Sequence, residues 1–137
     1  MKPSESLITL SGRILMSVIF LISGFFKVAG HAQMVGYATA VGLPMPNVAI
    51  WLAALIELAL GLAILAGFKT RIAAWVLFFY LIPTTYFFHN FWAAQGAAQQ
   101  AQMVNFLKNV AIMGGLLVLA VNGAGANSAD AALSKKN

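Results

Sequence analysis

The sequence predicts an all-α integral membrane protein, folded as an up-down antiparallel four-helix bundle. Two observations carry this prediction: 61% of the 137 residues are hydrophobic and only 8% are charged, and the mean hydropathy is +0.87. These values lie far from those of an ordinary soluble domain. A membrane-spanning helix needs about 20 mostly apolar residues. The chain therefore has room for four spans and short connections, as a single membrane domain over residues 1–137.

The four spans are predicted at residues 7–29, 48–67, 72–88 and 104–121, followed by a tail over residues 122–137. Between the first two spans, Gly42, Pro44 and Pro46 are expected to break the helix and turn the chain back. The link FKTR is so short that the second and third helices are expected to be antiparallel neighbours. The third connection, AAQGAAQQAQ, is polar and uncharged, which favours a short helix at the membrane interface.

The distribution of basic residues predicts the orientation of the bundle. Cytoplasmic ends of membrane proteins carry an excess of Lys and Arg. Two of the eight basic residues, Lys27 and Lys108, fall on one side of a four-span bundle. The other six fall on the opposite side: Lys2, Arg13, Lys69, Arg71, Lys135 and Lys136. Both termini and the tail are therefore expected in the cytoplasm.

Composition also excludes several classes of function. The basic residues are scattered at the ends of apolar segments rather than clustered on a polar face, so no nucleic-acid partner is expected. The chain has no cysteine, which excludes disulfides and thiolate metal ligands. Any redox role must therefore use another group, and the partner that the composition itself predicts is the lipid bilayer.

Charged and amide side chains within the apolar segments are the candidates for a site. On the first helix, Arg13 and Lys27 lie on one stripe, because 14 residues bring a helix nearly back to the same face. Glu57 lies near the middle of the second span. Lys108 and Asn109 lie on one polar arc of the fourth.

The unfavourable energy of an isolated charge in lipid indicates how these groups are arranged. A lone Asp, Lys or Arg at mid-membrane is unfavourable by about 2.5–3.5 kcal/mol. Pairing of Glu57 with Lys27 or Lys108 avoids this, and one carboxylate facing two lysines leaves a surplus positive charge for an anionic or electron-rich headgroup. In the alternative, both lysines snorkel to the outer interface. Glu57 then pairs with Arg13 or accepts hydrogen bonds within the bundle.

The third span is rich in aromatic residues: nine of the sixteen in the chain fall between residues 75 and 92. Pro83 removes one helical hydrogen bond, so a kink or widened turn is expected. A kinked aromatic wall formed by Phe79, Tyr80, Tyr86 and His89 would flank a flat ring such as a quinone. In the alternative, these side chains are interfacial anchors and ordinary packing.

His31 and His89 both fall near the non-cytoplasmic ends of their spans, which raises a bis-histidine haem or metal site as an alternative. No suitable third ligand lies nearby in the sequence, so no metal site is predicted. Interfacial hydrogen bonding and a pH-sensitive polar contact are the favoured roles for both residues.

Taken together, these motifs resemble the DoxX family of small bacterial inner-membrane proteins, and in particular its YqjF-type members. The resemblance extends from about Leu7 to Leu133. The tail departs from the family pattern at Asn127 and Ala129. The residues that carry the resemblance are Arg13, Ser23, Gly24, Lys27, Gly42, Pro44, Glu57, Gly61, Gly67, Arg71, His89, the FLKN and GG motifs, and the GAGANSAD tail.

The resemblance implies a location in the bacterial inner membrane and a membrane subunit associated with a quinone-linked oxidoreductase system. Under this interpretation the chain is not an enzyme on its own, a quinone is its ligand, and an oxidoreductase is its partner. Two alternatives remain: a scaffold or envelope-stress protein without a ligand, and a small-solute permease that would need a homo-oligomer. The residues that match the family's polar positions, with no catalytic role assigned to them, are Lys27, Glu57, Arg71, Lys108 and Asn109.

Overall fold

The computed structural model describes residues 3–135, with side chains from residue 5 onward, and this part of the chain contains helices and no strand. Four of the helices are long and apolar enough to cross a membrane, which confirms the predicted all-α membrane fold. Lys2 and Lys136, which count toward the predicted orientation, lie outside the described residues. The helices are α1 (Pro3–Ala29), α2 (His31–Ala40), α3 (Pro46–Ala66), α4 (Thr70–Phe88), α5 (Gly96–Asn122) and α6 (Ala129–Ser134), with a 3₁₀ turn at Phe91–Ala93.

Two connections differ from the prediction. The first contains the ten-residue helix α2 before the chain turns at Gly42, whose φ of +75° favours glycine. Pro46 does not break a helix but begins α3, where its missing N–H is not needed. The third connection forms no separate interfacial helix. Its Ala and Gln residues favour helix, so α5 begins at Gly96 and continues directly into the fourth span.

The four long helices pack as two pairs, α1 along α3 and α5 along α4, joined through α3 and α4. At Gly61 on α3, an added Cβ would lie 3.1 Å from Leu21 Cδ2 and 3.2 Å from Phe20 Cβ of α1. At Gly24 on α1, an added Cβ would lie 2.8 Å from Leu58 Cγ. These two glycines therefore allow α1 and α3 to approach closely.

The tail folds back onto the turn between α3 and α4. The backbone N–H of Asp130 donates to the Gly67 carbonyl oxygen at 2.8 Å. Its carboxylate accepts from the N–H groups of Lys69 at 2.7 Å and Thr70 at 3.0 Å. Asp130 therefore satisfies two free donors at the start of α4. Within the tail, Ser128 caps α6 by accepting from the Ala131 N–H at 3.1 Å.

Pro83 lies inside α4, and the helix continues past it to Phe88. One turn before the proline, the carbonyl oxygen of Tyr80 accepts a hydrogen bond from Thr84 Oγ1 at 2.9 Å. This bond lies next to the interruption rather than at it, since the carbonyl that lacks the N–H of Pro83 is that of Phe79.

Candidate functional site

An ion pair joins α1 and α3 inside the membrane-spanning part of the bundle. Lys27 Nζ donates to Glu57 Oε1 at 3.0 Å and Oε2 at 2.8 Å, and to Ser23 Oγ at 2.6 Å. Glu57 is buried and only 4% of its side chain is exposed, against 15% for Lys27. Lys27 thus uses its three donors on Glu57 and Ser23. Of the two interpretations of Lys27, the structure shows the one in which it pairs with Glu57.

A third helix contributes to this ion pair through Tyr80 on α4, whose phenolic OH donates to Glu57 Oε1 at 2.7 Å. The carboxylate therefore accepts hydrogen bonds from two neighbouring helices. Tyr80 was predicted as part of an aromatic wall, and its hydrogen bond to Glu57 was not predicted. No pattern in the sequence indicates this bond, because the burial of the neighbouring Leu77 and Leu81 is seen only in the structure.

Lys108 does not share the Glu57 carboxylate, so this part of the predicted cluster is corrected. Its exposed ammonium contacts Asn105 Oδ1 at 3.5 Å, whereas the Glu57 carboxylate pairs with Lys27. The physical reason is the packing of the helices: α5, which carries Lys108, packs along α4, whereas Glu57 lies on α3 against α1. The neighbouring Asn109 is turned toward α4, where its Nδ2 donates to Thr85 Oγ1 at 3.0 Å.

These groups lie on the wall of a cavity of about 520 Å³. The wall is mostly apolar, with side chains such as Ile50, Leu81 and Ile112. One carboxylate and two ammonium groups leave the cavity with a surplus positive charge, carried by Lys108. The polar and ionisable side chains on the wall are Ser23, Lys27, Tyr37, Glu57, Tyr80, Thr84, His89, Asn105, Lys108 and Asn109.

The predicted aromatic wall is divided between two faces of α4. Phe79 and Tyr86 are seven residues apart, share one face and are each 60% exposed, so their assignment to the wall is corrected. Tyr80 and Phe87, also seven apart, line the cavity together with His89. A helix turns by about 100° per residue, and this rotation separates Phe79 from Tyr80.

The two histidines have different partners, so the structure does not form the bis-histidine alternative. His31 stacks on Trp51, with ring centroids 4.2 Å apart and planes at 21°. His89 Nδ1 lies 3.0 Å from Gln102 Oε1 on α5. Only His89 reaches the wall of the cavity.

Arg13 and Arg71 lie at the opposite end of the bundle and take no part in the cavity, which corrects their place among the site residues. Along α1, 14 residues separate Arg13 from Lys27 by about 21 Å. Arg13 is 1% exposed and donates to the carbonyl oxygens of Ile64 at 3.4 Å and Leu65 at 3.3 Å, and to that of Asn127. Arg13 therefore links α1 to the end of α3 and to the tail.

The carboxyl group of Asp130 completes this second polar cluster. Burial acts to raise its pKa, but the N–H groups of Thr70 and Lys69 and the Arg13 guanidinium together lower it by more. The pKa of Asp130 therefore lies below the ordinary value, and the group is ionised at neutral pH. Arg71 lies nearby, with its Nε next to Gly123.

Comparisons with known proteins agree with this architecture. The DoxX family model matches residues 8–90. The chain is 39% identical over 127 residues to inner membrane protein YphA of Escherichia coli (strain K12), covering 93% of this chain and 91% of YphA. It is 38% identical over 136 residues to inner membrane protein YqjF of the same organism, covering 99% of each. No solved structure matches. The chain therefore belongs to the DoxX family, as a multi-pass protein of the bacterial inner membrane.

Proposed function

We propose that the chain is a non-catalytic membrane subunit that holds a quinone, or a similar lipid-soluble ring, for an oxidoreductase partner. The observation that carries this proposal is the cavity of about 520 Å³, with mostly apolar walls and a few polar groups around Glu57 and Lys108. Pockets of about 300–1,000 Å³ with this composition are typical of small-molecule sites.

The donors available to such a ligand support a quinone. A quinone offers a flat apolar ring and two carbonyl acceptors. Lys27 already uses its three donors, whereas Lys108 makes a single contact at 3.5 Å and has donors left for a ligand. Phe87 and Leu81 give the same cavity apolar surface on which a ring can lie.

The arrangement of Glu57 favours binding over turnover. A general base must reach a proton of the substrate. Both carboxylate oxygens of Glu57 accept from Lys27, and one also accepts from Tyr80. Glu57 therefore orients neighbouring groups, which supports the role of a subunit that binds a ligand without transforming it.

Two variants, in each of which one alanine of α3 is replaced by phenylalanine, test the site. Ala53 lines the cavity, whereas Ala59 on the same helix is exposed. We expect a short-chain benzoquinone analogue, titrated calorimetrically into the purified protein, to bind Ala53→Phe at least tenfold more weakly than the unmodified chain. Ala59→Phe should bind normally. Equal affinities for the two variants, or no binding by the unmodified chain, would contradict the site.

The partner is tested separately, by mass spectrometry of the lipids and proteins retained after gentle detergent extraction. Retained quinone together with a subunit of an oxidoreductase would support the proposal. Retention of neither would favour the scaffold interpretation.

A further inference from the structure

At the end of the bundle, α2 covers the cavity. Tyr37 on α2 donates its OH to the Phe88 carbonyl oxygen at 3.2 Å and receives a hydrogen bond from Gln102 Nε2 at 3.4 Å. Met34 and Leu43 line the cavity from the same segment. This cover joins α2 to the end of α4 and to α5, so a ligand approaching along the bundle axis meets tethered side chains.

A second side of the cavity lies between α1 and α5. Each of these helices packs along another partner, α1 on α3 and α5 on α4. They meet where Gly115 faces the methyl group of Met16. Because α1 and α5 run antiparallel, Ile19 and Ile112 lie one turn from that contact, toward the cavity, and both line it. At this level the cavity is therefore bounded by side chains of both helices.

We propose that this side of the cavity, between α1 and α5, is a lateral portal, and that the ligand is a long-chain amphiphile loaded from the bilayer. Its ring lies in the cavity and its hydrocarbon chain passes between α1 and α5. The inference rests on the proposed function for the ring site, and adds the route and the chain.

The volume and the surroundings of the cavity support a chain that leaves sideways. A cavity of about 520 Å³ suits a drug-sized group and leaves no room for a long isoprenoid chain as well. A chain that left through the α2 cover would enter water, which disfavours apolar surface. A chain that leaves past Ile19, which is 48% exposed on the outer surface of α1, stays in hydrocarbon.

The chain has no native cysteine, so pairs of cysteines can close either route selectively. The pair Ile19→Cys with Ile112→Cys, joined by a thiol-cleavable bismaleimide, ties α1 to α5. The matched pair His31→Cys with Trp51→Cys ties α2 to α3 across the existing contact of those two rings, and neither residue lines the cavity. Each protein is reconstituted in vesicles containing a long-chain isoprenoid quinone, and the quinone that copurifies is measured by mass spectrometry.

We expect the α1–α5 tie to lower quinone retention at least fivefold relative to the same variant before cross-linking, and cleavage of the linker to restore it. The α2–α3 tie should leave retention unchanged. Loss with the α2–α3 tie alone, or no loss with the α1–α5 tie, would overturn the portal. Binding of the short-chain analogue separates the two proposals: its absence in the unmodified chain refutes the ring site and therefore also this inference. If the short-chain analogue still binds after α1–α5 cross-linking while the long-chain quinone is lost, the result supports the portal alone.

Discussion

The ammonium of Lys27 on α1 lies 2.8 Å from one carboxylate oxygen of Glu57 on α3 and 3.0 Å from the other. At the same level, Gly24 brings α1 close to α3: an added Cβ would lie 3.2 Å from Glu57 Cβ. A two-oxygen contact of this kind compensates both charges inside a span, where an isolated charge is unfavourable. The pair is therefore a joint between two helices as well as part of the cavity wall.

Removing one partner of this pair should have a larger effect than removing both. We expect Glu57→Gln and Lys27→Met each to lower stability by about 3 kcal/mol, since each leaves a charge or a buried polar group without its partner. The double variant should recover part of that loss and still bind quinone poorly. Thermal unfolding in detergent measures the coupling as a double-mutant cycle. Strictly additive losses would show that the contact contributes nothing to stability.

Hydropathy and charge were sufficient to predict the four spans and the meeting of Lys27 with Glu57, because few arrangements neutralise a buried carboxylate. They were not sufficient for Lys108. Periodicity gives the angular position of a residue on its own helix, but not the rotation or depth of that helix against its neighbours. Phe79 and Tyr80 are a different case, because the turn of about 100° per residue that separates them follows from the sequence itself. Helix α2 was missed because Gly42 and Pro44 mark where a helix stops and do not show that one precedes them.

The close approach of α1 and α3 at Gly61 predicts that a larger side chain at this position lowers the stability of the bundle. Gly61→Leu should lower stability by about 1–3 kcal/mol, because the new side chain meets Leu21 and Phe20 Cβ of α1. Gly114→Leu is the control, since nothing lies within 4 Å of a Cβ at that position. Gly115→Leu should fall between them, because it meets the movable methyl end of Met16. Equal melting temperatures for Gly61→Leu and Gly114→Leu would contradict the close approach.

Docking of the tail should depend on the charge of Asp130. Its folded-state pKa lies below the ordinary 3.8, so its contribution to stability is present above that value and lost as the pH falls through the lowered pKa. Asp130→Asn should release the tail at neutral pH, since a side-chain cap of this kind contributes about 0.5–2 kcal/mol. A spin label on Ser134→Cys reports the change as increased mobility. Unchanged mobility of the label in the Asp130→Asn variant at neutral pH would show that the carboxylate does not hold the tail.

The six basic residues on one side and two on the other predict the orientation of the bundle, with both termini in the cytoplasm. A reporter fused after Asn137 should be active only in a form that works in the cytoplasm, such as a fluorescent protein. An alkaline phosphatase fusion at the same position should be inactive. An active phosphatase fusion would place the tail in the periplasm and reverse the predicted topology.

Substitution of Lys108 distinguishes a role in ligand binding from a role in stability. Its ammonium is exposed and contacts Asn105 at 3.5 Å, so Lys108→Met should change stability by no more than about 0.5 kcal/mol. The same variant removes the surplus positive charge of the cavity and the donors left for a ligand. We therefore expect quinone binding to weaken about tenfold. Lys69→Met, at the opposite end of the bundle, is the matched control and should bind normally. Normal binding by Lys108→Met would show that its ammonium serves the membrane interface, and that ligand recognition depends on the other polar groups of the cavity.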